Sequence, residues 1–496
     1  MPNHALSQRI ADVLDLQPGA DAIEFHGRWS SWGKLREAAW RIGSLSAELG
    51  VNPQIGMLLR NRPGQVAAFL GVLLAGGTVV TINPSRGDER TRADIAALGL
   101  PLIIGEPDDL TTLVTAGTQT VSITGLLDDA SGPALHAPGS APRPGVAVRI
   151  LTSGTTGPPK RVDLSYDMLA RSVMGPDPDR APAPTKLRRG VAIVNSPLVH
   201  IGGVFRVLQC VADARPFVLL ERFELNAWAE AVRKHRPRTV SLVPAALRTV
   251  LHSGLPQADL ESIRAVTCGT APLSADDADA FTEKYGIPVL TSYAATEFGG
   301  GVAGWTLPDY QQYWAAKRGS VGRANPGAQL RVVGDDGTAV ALDQVGLLEV
   351  KPGQLGPSAE WMRTTDMARI DADGFVWIVG RADQAIIRGG FKVLPDDVRT
   401  ALEGHPAVAG AAVIGRSDAR LGETPVAMVE LRESASADSA ELTDYLRTRL
   451  ARYEIPTEIA IVDAIPRTPS GKADLSAIRR FFGDASHVTA HSDHAR

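Results

Sequence analysis

The sequence predicts an α/β fold in two parts: a large N-terminal domain of layered α/β sheets over residues 1–382 and a small α+β C-terminal domain over residues 383–483. Three observations lead there. A chain of 496 residues exceeds one ordinary domain and calls for a large core with something smaller beside it. The first 125 residues alternate helix-period patterns with short β-branched runs, the signature of parallel strands with helices on the sheet faces. Beyond Asp383 the pattern changes to a hairpin followed by short helices and strands, about 110 residues in all and enough for a small domain.

In order, residues 35–49 read as a helix, 55–59 as a strand, 64–75 as a helix and Thr78–Ile82 as a strand, after which Asn83-Pro84 turns the chain. Residues 127–145, rich in Pro, Gly, Ser and Ala, read as a surface connection, and 175–189 as an irregular segment. Residues 146–151 and 191–194 read as buried strands. In the second part, Ile386–Arg388 and Phe391–Val393 form a hairpin about Gly389-Gly390. Pro395 starts a helix, 408–414 and 426–431 are strands, and a helix covers 439–450. Residues 484–496 read as a disordered tail.

Composition excludes several classes. With 51 Lys and Arg against 55 Asp and Glu, the net charge of −4 leaves no nucleic-acid footprint. The longest apolar run, residues 66–80, is broken by Gly71, Gly76 and Gly77, and it falls short of the roughly 20 residues that span a bilayer, so no integral membrane segment is expected. Cys210 and Cys268 have no metal spacing, and no signal peptide is evident; a reduced, cytoplasmic compartment is the expectation.

The stretch most suited to chemistry is Thr152-Ser153-Gly154-Thr155-Thr156-Gly157-Pro158-Pro159-Lys160, leaving the 146–151 strand. Gly154 and Gly157 let the backbone turn and approach a ligand, and its N–H groups and hydroxyls donate to phosphate. The prolines stiffen the exit toward Lys160. The spacing is not the Gly-Lys-Ser/Thr ending of a Walker loop.

This loop closely resembles the signature of the acyl-adenylate-forming superfamily (acyl-CoA synthetases, adenylation domains of peptide synthetases, luciferases), and the resemblance runs from about residue 10 to about residue 480. Further motifs occur in family order. In Pro197-Leu198-Val199-His200-Ile201-Gly202-Gly203, the resemblance implies that His200 orients the acyl group, with Gly202, Gly203, Gly269 and Gly299 giving room in the acyl pocket. Gly269-Thr270-Ala271 would lie on one face of adenine and Tyr293 on the other. Tyr293-Ala294-Ala295-Thr296-Glu297 matches the family's Tyr-Gly-x-Thr-Glu, with Ala294 for Gly; Glu297 and Thr152 would hold Mg²⁺. Asp366, in a motif with Thr365 for the usual Gly, would accept from the ribose hydroxyls. Thr365 would be strained if that position needs positive φ. Arg381 would also contact ribose, Asp383 would be the hinge, and Lys472 of Ser470-Gly471-Lys472 would contact the reacting carboxylate and α-phosphate.

The implied enzyme is an AMP-forming acid–thiol ligase that uses ATP and CoA as co-substrates. A carboxylic acid, fatty or otherwise hydrophobic, becomes an acyl-adenylate; the small domain then rotates at its hinge, withdraws the Lys and presents Gly389, Gly390 and Phe391 along the CoA tunnel. Pocket walls are expected from residues 200–205, 243–247, 269–271 and 299–302. Two alternatives stay open. A separate carrier protein replaces CoA as the acceptor, or the chain is a nucleotide-binding protein without turnover. Arg161, Ala294 and Thr365 depart from the family pattern.

Overall fold

The computed structural model describes residues 4–125, 142–152, 160–388, 391–418, 420–468 and 471–488. Residues 153–159 of the phosphate loop, the Gly389-Gly390 turn, most of the 127–145 connection and residues 489–496 lie outside the described residues.

The large part is built on four sheets. A six-stranded sheet runs Gln119–Ser122, Leu102–Gly105, Gln54–Leu58, Thr78–Ile82, Val146–Thr152, Lys160–Ser165; all pairs are parallel except the last. Its helices pack on the faces as the alternating pattern requires. Pro63–Leu74 is apolar but for Gln65 and buried from Gly64 onward, and it rests on Trp32–Glu48 so closely that a Cβ on Gly71 would stand 2.3 Å from the Ala39 carbonyl. Only glycine fits that crossing.

A five-stranded sheet follows, in the order Thr239–Leu242, Ala265–Cys268, Val289–Ala295, Gly300–Gly304, Arg323–Ala324. Its first three strands are parallel, and their ends lead into the Gly269 and Tyr293 motifs. An antiparallel sheet of Gln329–Val333, Gly346–Lys351, Met362–Ile370 and Val376–Arg381 carries Asp366 and Arg381. Residues 386–462 form a separate sheet with its own apolar core of Val398, Leu402, Val413, Val429 and Leu442.

Several boundaries differ from the sequence reading. The helix expected at 35–49 begins at Trp32, because the Ser31 side chain caps it by accepting from the Lys34 N–H. The strands expected at 408–414 and 426–431 are Val408–Asp418 and Gly422–Leu431, one long antiparallel pair whose polar outer ends carry no apolar signal. The helix expected at 439–450 stops at Arg447. The tail reading is also corrected for its first residues: Leu475–Val488 is one helix, because Ile478 and Phe482 recur at helical spacing and are buried, so it continues past residue 483.

The small part is docked on the large one through charge. Arg248 Nε lies 2.7 Å from Asp277 Oδ2 and its Nη2 3.4 Å from Glu403 Oε2, while Arg399 Nη1 reaches the same Glu403 oxygen at 2.6 Å.

Candidate active site

The two strands that flank the phosphate loop pair antiparallel, so Thr152 stands opposite Lys160 and donates its hydroxyl to the Lys160 carbonyl at 3.1 Å. Lys160 Nζ lies 3.4 Å from Glu297 Oε1, on the turn Thr296–Phe298. This pair is exposed, at 68% and 35%, so it is weak and can be exchanged for a ligand's charges. Ser153, Gly154, Thr155, Thr156 and Gly157 lie outside the described residues. Thr152 and Glu297 thus bracket Lys160 with one hydroxyl and one carboxylate, a donor set that fits a Mg²⁺ ion taking its other ligands from phosphate and water. Among the described residues no group of three His, Cys, Asp or Glu is placed to hold a metal alone.

Arg161, which departs from the family pattern, has a structural partner. Its Nη2 lies 2.6 Å from Asp94 Oδ2 and its Nη1 donates to the Thr81 carbonyl at 2.9 Å, so the change is accommodated beneath the loop.

The segment Gly269-Thr270-Ala271 follows the Ala265–Cys268 strand. A Cβ on Gly269 would meet Ser292 Oγ at 2.7 Å, so the strand ends touch there. Thr270 has φ of 73°, the left-handed region that a β-branched residue seldom enters. Strain therefore sits at Thr270 and not at Thr365, which lies within the Met362–Ile370 strand and has no positive φ. Asp366 and Arg381 are direct cross-strand partners. The Tyr293 hydroxyl donates to Asp366 Oδ2. Burial raises the Asp366 carboxyl above its ordinary pKa, against the opposing pull of Tyr293 and Arg381. Arg381 grips Asp383 at 2.9 and 2.8 Å and donates to Thr365 Oγ1 at 2.5 Å, so Thr365 has taken on a polar role. Ala294 is exposed and pairs with Gly301.

His200 stands at the N-cap position of the Ile201–Ala212 helix, its side chain making no capping bond. Its Nε2 is enclosed and has no partner among the described residues. Burial, helped by the charge of Lys472, lowers its pKa to about 4, so the ring is neutral near pH 7. Lys472 follows Gly471, whose φ of 81° closes the turn in which Thr468 N–H donates to the Lys472 carbonyl at 2.7 Å. Lys472 keeps contact with solvent in an open cleft, yet protein surrounds it on several sides. Desolvation, then the field of Arg381, lowers its pKa, while Asp366 and Glu297 raise it. Lys472, from the small part, thus lies within the electrostatic reach of His200, Asp366, Arg381 and Glu297 of the large part.

Some expected pocket residues serve packing instead. A Cβ on Gly203 would stand 2.1 Å from the Pro197 carbonyl, so this glycine closes the turn before the helix and gives the acyl pocket no room. Gly202 has open space beside it, the nearest atom being Ser196 Cβ at 3.9 Å. Gly299 has φ of 72° and abuts Met168. Ala246 and Leu247 lie in the core with Trp228 and Val232, so the wall expected at 243–247 is narrower. Of the CoA tunnel, Gly389 and Gly390 lie outside the described residues; Phe391 is exposed and stacks on Tyr453, centroids 4.6 Å apart. Both cysteines are buried, and burial pushes their thiols up to about 12, which makes them inert.

The sequence reading passed over Arg206, on the same helix as His200. Its Nη2 donates to Thr267 Oγ1 at 2.9 Å and its Nη1 to Gln209 Oε1 at 3.1 Å. A single charge inside Ile201–Ala212, a helix otherwise apolar but for Gln209, was the available signal.

A family model described as AMP-binding enzyme matches residues 11–356, and one described as AMP-binding enzyme C-terminal domain matches 397–472. An indoleacetate–CoA ligase of Aromatoleum aromaticum is 29% identical, with 96% of this chain and 98% of that protein covered. A feruloyl-CoA synthase of Amycolatopsis is 28% identical, covering 97% and 100%. ATP-bound MatB from Rhodopseudomonas palustris superposes with a TM-score of 0.82 at 25% identity, over 97% of this chain and 99% of that one. The apo form of the same protein superposes with a TM-score of 0.69 at 24% identity.

Proposed function

The chain belongs to the AMP-binding enzyme family and is an AMP-forming acid–thiol ligase, and we propose that it joins an aryl-substituted carboxylic acid to CoA through an acyl-adenylate. The observation that carries this reading is the convergence of Lys472, from the small part, with His200, Asp366, Arg381 and Glu297 of the large part. Relatives named for indoleacetate and ferulate favour an aryl acid; none of them supports the expected fatty acid, nor a carrier protein as acceptor.

In the first step a carboxylate oxygen attacks the α-phosphorus of ATP, and the bond to pyrophosphate breaks. Negative charge builds on the phosphorus oxygens, so the protein's task is positioning and charge stabilisation. Lys472 bridges the carboxylate and the α-phosphate, and Lys160 turns from Glu297 to the phosphates. Asp366 accepts from the ribose, with Arg381 beside it, and Tyr293 covers adenine while its hydroxyl stays on Asp366. Neutral His200 orients the acyl group without competing for the carboxylate's charge. Mg²⁺, when bound by Glu297 and Thr152, neutralises phosphate charge.

In the second step the CoA sulfur attacks the acyl carbonyl, the bond to AMP breaks, and the thiol proton leaves to solvent. The small part turns about Asp383 between the steps, withdrawing Lys472 and bringing Phe391 to the thiol's path.

The test is pyrophosphate release from ATP and Mg²⁺ with indoleacetate, ferulate, cinnamate and octanoate, with and without CoA, and acyl-CoA followed by mass. Acid-dependent release and an aryl-CoA product are expected. Release without thioester would redirect the acyl group to another acceptor, and no release with any acid would remove the ligase reading.

A further inference from the structure

The helix that begins at His200 has two distinct faces. Val204, Val207, Leu208 and Val211 are buried in the main core, whereas Gly202, Phe205, Arg206 and Gln209 keep partial exposure along one stripe. That stripe starts at the ring facing Lys472 and leads away from the reacting end. Arg206 lies six residues along it, about 9 Å of helix rise from His200. Its contact Thr267 lies on the strand Ala265–Cys268, which leads directly into the Gly269 segment. The guanidinium therefore joins the helix wall to the strand that carries that segment.

Arg206 sits deep in the molecule and still is not closed off, as on the wall of a cleft. Burial draws its pKa below the ordinary arginine range. No carboxylate among the described residues neutralises it: the one titratable group acting on it is the Cys210 thiol, itself pushed up to about 12 and so uncharged. Asp213, at the end of the helix, is held by Arg188 at 3.1 Å. Thr267 and Gln209 occupy two of the five guanidinium donors. A deep cation without a counter-ion is costly, and its free donors suit a two-oxygen anion.

We infer that the acid activated at this site carries a second carboxylate at its far end, which Arg206 receives with help from Thr267. The inference rests on the ligase reading above and adds to it the chemical class of the acid. The spacing suits a rigid aryl diacid or a diacid of similar length.

The test compares kcat/KM for acid-dependent pyrophosphate release within matched pairs, 4-carboxycinnamate against cinnamate and suberate against octanoate. The wild-type enzyme is expected to prefer the diacid of each pair. In Arg206→Met the diacid-to-monoacid ratio should fall at least about 100-fold, as when one partner of a deep charge pair is lost. Thr267→Val should lower it about 10-fold, and it supplies the answer if Arg206→Met does not fold. A wild-type preference for the monoacids, or an unchanged ratio in both variants, would overturn the inference while leaving the ligase reading intact. No turnover of any acid, indoleacetate and ferulate included, would remove both.

Discussion

At the scale of the residue, the site depends on where charge is placed and how strongly it is desolvated. Lys472 was singled out by its Ser-Gly-Lys context, and the fold adds that burial and Arg381 act on it together. Its pKa is lowered from the ordinary lysine value, and the protonated form is the one that binds the phosphate oxygens. Adenylation should therefore fall on the alkaline side at a pH below the usual lysine range. Lys472→Arg, whose guanidinium does not titrate there, should abolish that limb; a pH profile of pyrophosphate release reads this. An alkaline limb identical in the variant would show that another group titrates. Sequence reasoning tied strain at Thr365 to a positive φ there; that condition is not met, and positive φ falls on Thr270 instead. Residue type alone does not reveal which of two neighbouring motifs turns the backbone. Arg206 was missed because an isolated charge in an apolar helix belongs to no motif.

At the scale of the element, strands were readable wherever both faces are buried. Thr78–Ile82, buried throughout, stands where its β-branched run put it, whereas the half-exposed hairpin strands Ile386–Arg388 and Phe391–Val393 were placed by the Gly-Gly turn signal between them. Long strand ends such as Arg416 to Asp418 were not, because pairing with a partner, not side-chain burial, extends them. Helix starts moved with caps that lie outside the apolar stripe. The contact between Pro244–His252 and Pro395–Glu403 was also unreadable, as it joins residues 155 positions apart. There Arg248 bridges Asp277 and Glu403 in the arrangement that puts Lys472 in the cleft. Arg248→Met should weaken that arrangement by ~1 kcal/mol and slow adenylation about 5-fold, with a smaller effect on thioester formation from supplied acyl-adenylate. Equal slowing of both steps would mean the bridge supports the fold in general.

At the scale of the whole molecule, two parts meet, and the proposed mechanism assigns each step of the reaction a different arrangement of them. The order of motifs along the chain revealed that there are two parts; their relative placement came from the fold, through contacts such as that of Arg248 with Glu403. The account's central claim is that Lys472 serves the first step and leaves the second. The most direct measurement takes Lys472→Ala through both half-reactions separately: pyrophosphate release with acid and ATP, and conversion of chemically prepared acyl-adenylate to acyl-CoA. The account predicts a loss of about 10²- to 10³-fold in the first and a rate near wild type in the second. Equal losses in both, or an undiminished first step, would contradict it.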